Sequence, residues 1–315
     1  MRSQAGAPRS FYIVNPRASN GRTRRIWERM VRGVRRSGRT AAFELTCRTM
    51  HAAELAARAL DSGYDPIVAV GGDGTVNEVL NGFYRGGRLI RPDARLAYLP
   101  CGTGADLART LGLAGGMEEL ILGGLSGGRI VRLDHGAARL RSDDGREIGR
   151  YFMNEASIGF SASTVEIVNR SSKALGGKLT FIYGALRALL RLSNPVVSIA
   201  VDGRPWFEGP AFLAAVTNGQ YFGGSMRIAP AARMNDSLFD VVLIGAMSRR
   251  EVLRHIGKVY SGAHIDLPQV HTTRGRSIRI RALQEVPLEM DGEHAGYLDA
   301  SFEIVERGVR FLVPG

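Results

Sequence analysis

Short apolar runs alternate with longer amphipathic stretches through the first part of the chain. The runs are four to six residues long, as in buried strands, and the stretches between them repeat apolar positions at helical spacing. This alternation predicts a doubly wound α/β domain with a parallel sheet. The predicted strands are 11–14, 41–46, 66–70, 95–99 and 129–134, and the predicted helices are 22–37, 51–61, 75–82 and 105–111.

The pattern changes near residue 135. Short alternating runs are now separated by Asp-Gly pairs, which favour tight hairpins, and two helical stretches interrupt them at 161–170 and 178–192. We expect an antiparallel β-sandwich domain over 135–305 after an α/β domain over 1–134, with 306–315 returning to the first domain. The predicted strands of the second domain are 148–154, 196–202, 211–217, 237–244, 277–282, 286–290 and 300–305.

Composition narrows the class of protein. Hydrophobic residues make up 44% and charged residues 23%, a balance typical of a globular protein and not of a disordered or membrane-spanning one. The 42 basic residues against 30 acidic ones give a net charge of +12, which favours an anionic partner. Because basic residues are not interleaved with aromatic ones, a nucleic-acid partner is disfavoured.

Two features bear on the cellular compartment. The two cysteines, Cys47 and Cys101, form no disulfide scaffold or zinc motif, and the N-terminal apolar run is too short for a signal peptide. We therefore expect a cytoplasmic protein whose contact with a membrane is peripheral.

A glycine-rich segment follows the third predicted strand and opens a helix; it runs Gly71-Gly72-Asp73-Gly74-Thr75-Val76-Asn77-Glu78. Because glycines leave the main chain uncovered, such a loop lets N–H groups close on a phosphate. A carboxylate beside a phosphate is costly unless a cation lies between them, so Asp73 implies Mg²⁺. Thr75 and Glu78 also match a capping box, which is a structural alternative for those two residues.

A second segment, 100–109, likewise lies between a strand and a helix. Thr103 could bond a phosphate and Asp106 could join a metal–water network, although an ordinary capped turn has the same composition. The segment 15–22 after the first strand is either a phosphate contact or a plain turn. Glu293 lies in an Asp-Gly hairpin, where a carboxylate is usually only solvated.

Together these segments resemble the diacylglycerol kinase catalytic-domain family, which includes soluble bacterial lipid kinases and the sphingosine and ceramide kinases. The resemblance runs along nearly the whole chain. It rests on the segments 71–82 and 100–109, on the Asn-Pro loop at 15–22, on Thr46, on Phe152–Phe160, on 178–183, and on Asn235–Val241, which is similar to the family's D-G-x-L-D-V segment.

The resemblance implies an ATP-dependent lipid kinase that transfers the γ-phosphate to the hydroxyl of a diacylglycerol or sphingolipid. It implies a lipid-binding second domain, Glu293 as general base and a catalytic role for Asp73. The implied ligands of Mg²⁺ are Asp73 and Asp106 and, at a second site, Asp236 with the main-chain carbonyls of Arg233 and Leu238. The implied ATP contacts are Asn15, Thr46, Gly72, Asp73, Gly74, Thr75, Val76, Asn77, Glu78 and Thr103.

Two alternatives stay open. The first is an NAD kinase-like enzyme, because the Gly-Gly-Asp-Gly-Thr segment and the pair Asn154-Glu155 are also similar to segments of NAD kinases. The second is a non-catalytic lipid- or nucleotide-binding regulator. It is kept open by two departures from the family pattern, Ala105 where Asn is usual and Ser237 where Gly is usual.

The helix predicted at 22–37 carries a stripe of arginines spaced three and four residues apart, Arg22, Arg25, Arg29, Arg32 and Arg36. Such a stripe is either a solvated face or an attachment to the anionic inner leaflet of a membrane, at about 1 kcal/mol per cation. An edge strand of the second domain could also pair two subunits into a homodimer.

Overall fold

The computed structural model describes residues 10–102, 105–113, 115–170 and 177–315. They form two compact units. The first extends to Leu133 and also contains Gly308–Gly315, and the second is Asp134–Arg307. An α/β unit and a β-rich unit are therefore present, as the change of pattern near residue 135 predicts.

The first unit is built on a parallel sheet in the order β2-β1-β3-β6, to which the end of β16 adds a further parallel strand. Because β1 and β3 are buried at every position, they are apolar throughout. The bounds are β1 (Phe11–Val14), β2 (Ala42–Leu45), β3 (Ile67–Gly71), the small hairpin β4 (Tyr84–Arg85) and β5 (Arg88–Leu89), β6 (Arg95–Pro100) and β16 (Glu293–Val313).

Five helices connect these strands: α1 (Arg22–Arg36), α2 (His51–Asp61), α3 (Asp73–Gly82), α4 (Asp106–Thr110) and α5 (Met117–Leu122). The apolar side of α1, which includes Trp27, Met30 and Val34, packs with α5 against one face of the sheet. The arginine stripe of α1 is exposed. The amphipathic pattern thus orients this helix on the sheet.

The second unit is antiparallel. Its main strand order is β13-β12-β11-β10-β14-β16; β9 pairs with β11 and β15, and β7 pairs with β8 and β16. The strands are β7 (Arg129–Arg141), β8 (Glu147–Phe152), β9 (Glu155–Gly159), β10 (Val196–Val201), β11 (Arg204–Thr217), β12 (Phe239–Gly245), β13 (Val270–Gly275), β14 (Ser277–Ala282) and β15 (Pro287–Met290).

Four helices belong to this unit: α6 (Phe160–Arg170), α7 (Gly177–Leu190), α8 (Arg249–His255) and α9 (Lys258–Ser261). One apolar cluster fills the strand interior around Phe152, Phe239 and Phe302. A second contains Val252 and Val259, with Leu189 packed against it, and so joins α7, α8 and α9 to β11 and β12. No helix among the described residues has the length and apolar character needed to cross a membrane.

The three Asp-Gly pairs all lie at strand connections, as predicted. At Asp202-Gly203 and Asp291-Gly292 both residues have positive φ, which is the geometry of a type I′ hairpin turn. The twist of such a turn matches that of the two strands it joins, so local sequence is sufficient to determine these hairpins.

Several element predictions were wrong in extent or missed. The strand expected at 148–154 ends at Phe152, and β9 follows as a separate strand. The strand expected at 300–305 is only the middle of β16. α5, α8 and β13 were not predicted. β13 is mostly polar because it pairs only with β12 and forms an edge, so period-two burial is weak there.

Both departures from the family pattern occupy left-handed backbone. Ala105 precedes α4 at φ +48°, and Ser237 precedes β12 at φ +62°. Gly and Asn adopt this conformation readily, whereas other L-residues are strained in it. The residue types usual in the family, Asn and Gly, therefore suit the main chain here without any reference to a ligand.

We expect Ala105→Gly to raise the free energy of unfolding by roughly 0.5–1 kcal/mol, because it relieves the left-handed strain at the cost of some chain entropy. The control is Ala108→Gly within α4, which should lower stability by about 1 kcal/mol because glycine is a poor helix former. Urea unfolding measures both variants. Equal destabilisation by the two substitutions would contradict the assignment of strain.

Candidate active site

The parallel register brings the ends of four strands to one edge of the first unit. Val14 is level with Leu45 on one side and with Val70 on the other, and Gly71 is level with Pro100. The loops predicted to bind nucleotide all leave the sheet from these carboxyl ends. This is the edge at which parallel α/β sheets bind their ligands.

Two of these loops touch through glycine. The N–H groups of Cys101 and Gly102 donate to the Gly71 carbonyl at 2.7 and 3.1 Å. A Cβ on Gly102 would lie 3.0 Å from the Cα of Gly72, which is main chain and has little room to move. Glycine at this position therefore allows the two loops to lie against each other, with no side chain between them.

The loop after β1 is bonded to the same edge. The N–H of Asn15 donates to Val70 O at 2.9 Å, and its side-chain amide donates to Thr75 Oγ1 at 3.3 Å. Ser19 Oγ donates to Cys101 O at 2.6 Å. Ser19 was not singled out from the sequence, although it lies within the polar segment 15–22. The structure thus brings Asn15, Thr75 and the second glycine loop together.

Asp73 links the glycine loop to α4. Its carboxylate accepts the N–H of Asp106 at 2.8 Å and the hydroxyl of Tyr98 at 3.2 Å. A carboxylate on the first N–H groups of a helix is a favourable N-terminal interaction. Burial, followed by the charge of Asp73, raises the pKa of Tyr98 well above its ordinary value, so the phenol stays a hydrogen-bond donor. Tyr98 was missed because it lies in an apolar strand.

The chemistry of Asp73 and Asp106 fits a magnesium–nucleotide complex. Mg²⁺ with nucleotide usually takes one or two protein carboxylates and fills its other positions with phosphate oxygens and water. These two carboxylates lie at the same sheet edge, and Asp106 also accepts a bond from Arg109 at 2.9 Å. No group of three His, Cys, Asp or Glu side chains suited to a metal occurs among the described residues. The edge therefore suits a cation that arrives with phosphates.

The other predicted nucleotide contacts differ in their surroundings. Thr46 is buried at the edge, where its N–H donates to Val14 O at 2.8 Å. The Val76 side chain is wholly buried, so only its main chain is available to a ligand. Gly74 and Asn77 lie in the first turns of α3, half-buried. Thr103 lies outside the described residues.

The capping-box interpretation of Thr75 and Glu78 is wrong. The residue before α3 is Gly72, and no side chain among the described residues caps this helix. Glu78 instead accepts the N–H of Ala52 at 3.0 Å, close to the start of α2. The carboxylate therefore ties α3 to α2, which local spacing could not reveal because the two partners lie in different helices.

The segment around Asp236 presents a different picture from the predicted second metal site. The guanidinium of Arg274 forms an ion pair with the Asp236 carboxylate, and the N–H of Leu238 donates to the same carboxylate at 3.3 Å. The Asp236 carboxylate is thus paired with a side-chain cation, as Asp106 is with Arg109. The geometry gives no support to a metal bound by Asp236, Arg233 and Leu238, and that site stays a prediction.

In the second unit Glu293 is the first residue of β16, half-buried, directly after the type I′ turn. The turn is anchored by Asp291, whose carboxylate accepts the N–H groups of Met153, Asn154 and Glu155 at 2.8, 2.8 and 3.0 Å. The hairpin is therefore attached to the junction of β8 and β9 through one buried side chain. The role of Glu293 itself stays a prediction.

Two further carboxyl groups are buried near this turn; Glu289 was not predicted as a site residue, and Glu155 was considered only in the NAD kinase alternative. Glu155 and Glu289 are 2% and 1% exposed, and their carboxyl groups lie close enough for each to shift the pKa of the other. Glu289 also accepts bonds from the Ser157 hydroxyl and, at 3.0 Å, from the N–H of Gly292. Burial raises the pKa of Glu155 well above the ordinary value and that of Glu289 to about 7.

Comparison with known families covers both units. Residues 9–138 match the diacylglycerol kinase catalytic domain, and residues 154–313 match the YegS C-terminal NAD kinase beta sandwich-like domain. A diacylglycerol kinase of Staphylococcus haemolyticus is 30% identical over 305 residues, which cover 96% of this chain and 87% of that protein. One from Bacillus subtilis is 27% identical over 311 residues, 97% and 96% of the two chains. The chain belongs to the diacylglycerol kinase family.

Solved structures show the same fold. A crystal structure of a diacylglycerol kinase from Bacillus anthracis aligns with a TM-score of 0.67 at 22% identity, covering 97% of this chain and 96% of the other. Yeast NADH kinase complexed with NADH aligns with a TM-score of 0.54 at 12% identity, covering 99% and 84%. The fold is thus common to kinases named for different acceptors, so it does not identify the acceptor.

The buried carboxyl pair predicts a pH-dependent stability. In the unfolded chain Glu289 ionises near its ordinary value of 4.5, whereas in the folded protein it holds its proton up to about 7. Its contribution to stability is therefore fully present below pH 4.5 and is lost as the pH rises to about 7. Glu289→Gln does not ionise, so its stability relative to the wild type should increase over this range, by on the order of 3 kcal/mol.

Urea unfolding of both proteins at pH values from 4.5 to 8 measures this difference. The matched control is Glu285→Gln, because Glu285 is an exposed carboxylate in the connection that leads into β15. A difference between Glu289→Gln and wild type that stays constant with pH would contradict the assignment, as would an equal change in the control.

Proposed function

We propose that this chain is an ATP-dependent lipid kinase that transfers the γ-phosphate of ATP to the hydroxyl of a diacylglycerol- or sphingolipid-type alcohol. In this proposal the first unit is a doubly wound nucleotide-binding domain, and the second is a β-sandwich that binds the lipid. The observation that carries the proposal is the glycine-lined carboxyl edge of the first unit, in a chain related over nearly its full length to proteins named diacylglycerol kinase.

Phosphate binding is assigned to the main chain of this edge. Gly72 and Gly102 meet without side chains between them, so N–H groups near the start of α3 are accessible to an anion. Asn15 and Thr75 add polar side-chain atoms next to that position. Transfer of a phosphoryl group depends mainly on such positioning and on neutralisation of charge.

Asp73 and Asp106 are the carboxylates that would hold Mg²⁺, which when bound offsets the negative charge of the transferring phosphate. Asp73 would also keep α4 in place, because it bonds the helix N-terminus at Asp106. Loss of this carboxylate should thus affect both nucleotide binding and the conformation of the second loop.

Glu293 is assigned the role of general base on the lipid hydroxyl. A lipid alcohol is a poor nucleophile, and a carboxylate within reach of its proton contributes about a hundredfold or more to the rate. Support comes from the anchored type I′ turn, which presents Glu293 at the start of β16. A turn with only a solvated carboxylate would need no such anchor.

An NAD kinase activity is the weaker candidate. That interpretation requires Asn154 and Glu155 to meet a dinucleotide. Here the Asn154 side chain donates to the Tyr221 carbonyl, while Glu155 is enclosed with Glu289; the two residues are 4% and 2% exposed. These contacts favour a structural use of the pair.

The test is transfer of labelled γ-phosphate from ATP, with Mg²⁺, to diacylglycerol, ceramide and sphingosine dispersed in micelles, and to NAD. We expect a labelled lipid, and a loss of about a hundredfold in kcat for Glu293→Gln. Asp73→Asn should also lose activity, whereas the exposed control Glu285→Gln should not. Labelled NAD without labelled lipid would support the NAD kinase, and ATP binding without any transfer would support the regulator.

We also propose that the protein works at an anionic membrane surface from the cytoplasmic side. The arginine stripe of α1 supports this, although Arg29 is partly neutralised because it donates to both carboxylate oxygens of Glu118 at 3.0 Å. The pairing removes one of five cations from the stripe, and it was not foreseen because Glu118 lies in α5.

A second surface supports the same proposal. Exposed apolar residues lie along α7 at Tyr183, Leu186 and Leu190. Three more are exposed nearby, one in α8, one in α9 and one in the connection between these two helices. The two helical segments meet where Arg249 donates to the carbonyls of Leu189 and Leu190 at 3.0 and 2.6 Å. This α7–α8 surface comprises the apolar residues Tyr183, Leu186, Leu190, Leu253, Ile256 and Tyr260 and the exposed cations Arg187, Arg191, Arg249, Arg250, Arg254 and Lys258.

Apolar side chains surrounded by cations are typical of a helix face that lies in the interface of an anionic bilayer. A second copy of the chain fits less well, because it would bring the same six cations against each other. Charge complementarity thus favours a lipid surface over self-association.

Sedimentation with vesicles tests both surfaces, using phosphatidylcholine alone and phosphatidylcholine mixed with phosphatidylglycerol. We expect binding only to the mixed vesicles, weakened roughly tenfold by Leu253→Ser with Ile256→Ser and by Arg25→Gln with Arg32→Gln. Leu283→Ser is the control, because Leu283 is 99% exposed outside both surfaces. Binding that does not depend on phosphatidylglycerol would refute the proposal. So would binding that neither double substitution weakens.

A further inference from the structure

The buried pair Glu155 and Glu289 lies immediately beneath the turn that carries Glu293. Glu289 and Ser157 are directly opposite each other in the pairing of β15 with β9, and the N–H of Asp291 donates to the carbonyl of Glu155 at 3.0 Å. The pair therefore belongs to the strands that bear the hairpin. Two neighbouring buried carboxyl groups retain a proton, because burial and their mutual repulsion both oppose ionisation of the pair.

The bonds of the pair make Glu289 a hydrogen-bond acceptor. It accepts from the hydroxyl of Ser157 and from the N–H of Gly292. Ser157 in turn bonds Ser161 at the start of α6, at 2.8 Å.

We propose that Glu289 is a positioning residue for Glu293: Glu289, oriented by Ser157 and buried beside Glu155, holds the Gly292 N–H and so fixes the main chain from which Glu293 projects. This inference rests on the role proposed above for Glu293. Asp291 anchors one side of the turn on the β8–β9 junction, and Glu289 anchors the other side. With both bonds made, the residue after Gly292 has little freedom to move.

The stability lost by burying these two acids and the hydrogen bonds they make both favour a functional role for the pair. Two acids buried together lower the stability of the unit at neutral pH, because each would ionise freely in water. Within the described part of the chain, Asp291 is the further carboxyl group that acts on both members of the pair, and α6 contributes the Ser161 hydroxyl to the network. An apolar pair would fill the same space, but it would remove the side chain that holds the Gly292 N–H in place.

Replacing the side-chain carboxyl group by an amide should have different effects at Glu155 and at Glu289. Glu155→Gln leaves the bonds from Ser157 and Gly292 to Glu289 in place, so lipid phosphorylation should stay within about threefold of wild type. Glu289→Gln replaces one acceptor oxygen with a donor and weakens the hold on Gly292. Because small displacements of a catalytic group are costly, its kcat should fall on the order of tenfold to a hundredfold, with the KM for ATP unchanged. Its resistance to urea at neutral pH should equal or exceed that of wild type.

A second measurement reports the bond directly. In protein labelled with ¹⁵N-glycine, the Gly292 amide is assigned by its loss in Gly292→Asn, since Asn tolerates the left-handed φ of +82° at this position. Its chemical shift should move with pH in the wild type and in Glu293→Gln, and should stay constant in Glu289→Gln. A merely structural role of the pair in packing would not couple this amide to the pH.

The outcomes separate this inference from the proposed function. Full kcat in Glu289→Gln beside an inactive Glu293→Gln would overturn the positioning role and leave the base assignment standing. Wild-type activity in Glu293→Gln would overturn both. A Gly292 amide with the same pH dependence in wild type and Glu289→Gln would overturn the positioning bond whatever the activity.

Discussion

Contact between main chains at the carboxyl edge of the parallel sheet is the constraint on which the first unit depends. Cys101 and Gly102 donate to Gly71, and the two loops touch at Gly72 and Gly102. Since no side chain separates them, Asp73 can reach the first N–H groups of α4. The contact between these two loops therefore also fixes the polar groups at the carboxyl edge of the sheet.

In the second unit, buried carboxyl groups hold the main chain of a hairpin turn in place. Asp291 binds three consecutive N–H groups, and Glu289 holds the N–H of Gly292. Buried charge of this kind lowers stability, and unpaired main-chain groups would lower it further. A hairpin turn held from both sides is the result.

Much of the fold could be predicted because its signals are local. β1 and α2 occur with the predicted bounds, and the Asp-Gly turns join the strands expected of them. The glycine loops and Asn15 could be placed at one sheet edge, because parallel strands end together. Tyr98 and Ser19 escaped notice because a tyrosine in an apolar strand and a serine in a polar loop have ordinary patterns.

The sequence by itself determined the strand–helix alternation, the hairpin turns and the candidate glycine loops, since these depend on neighbours a few residues apart. Only the tertiary structure decided the partners of charged and polar side chains: Glu78 with Ala52, Asp236 with Arg274, and Glu155 with Glu289. The physical reason is that a buried or paired carboxylate takes its partner from another strand or helix. Which partner that is depends on strand register and helix packing, and spacing along the chain does not encode it.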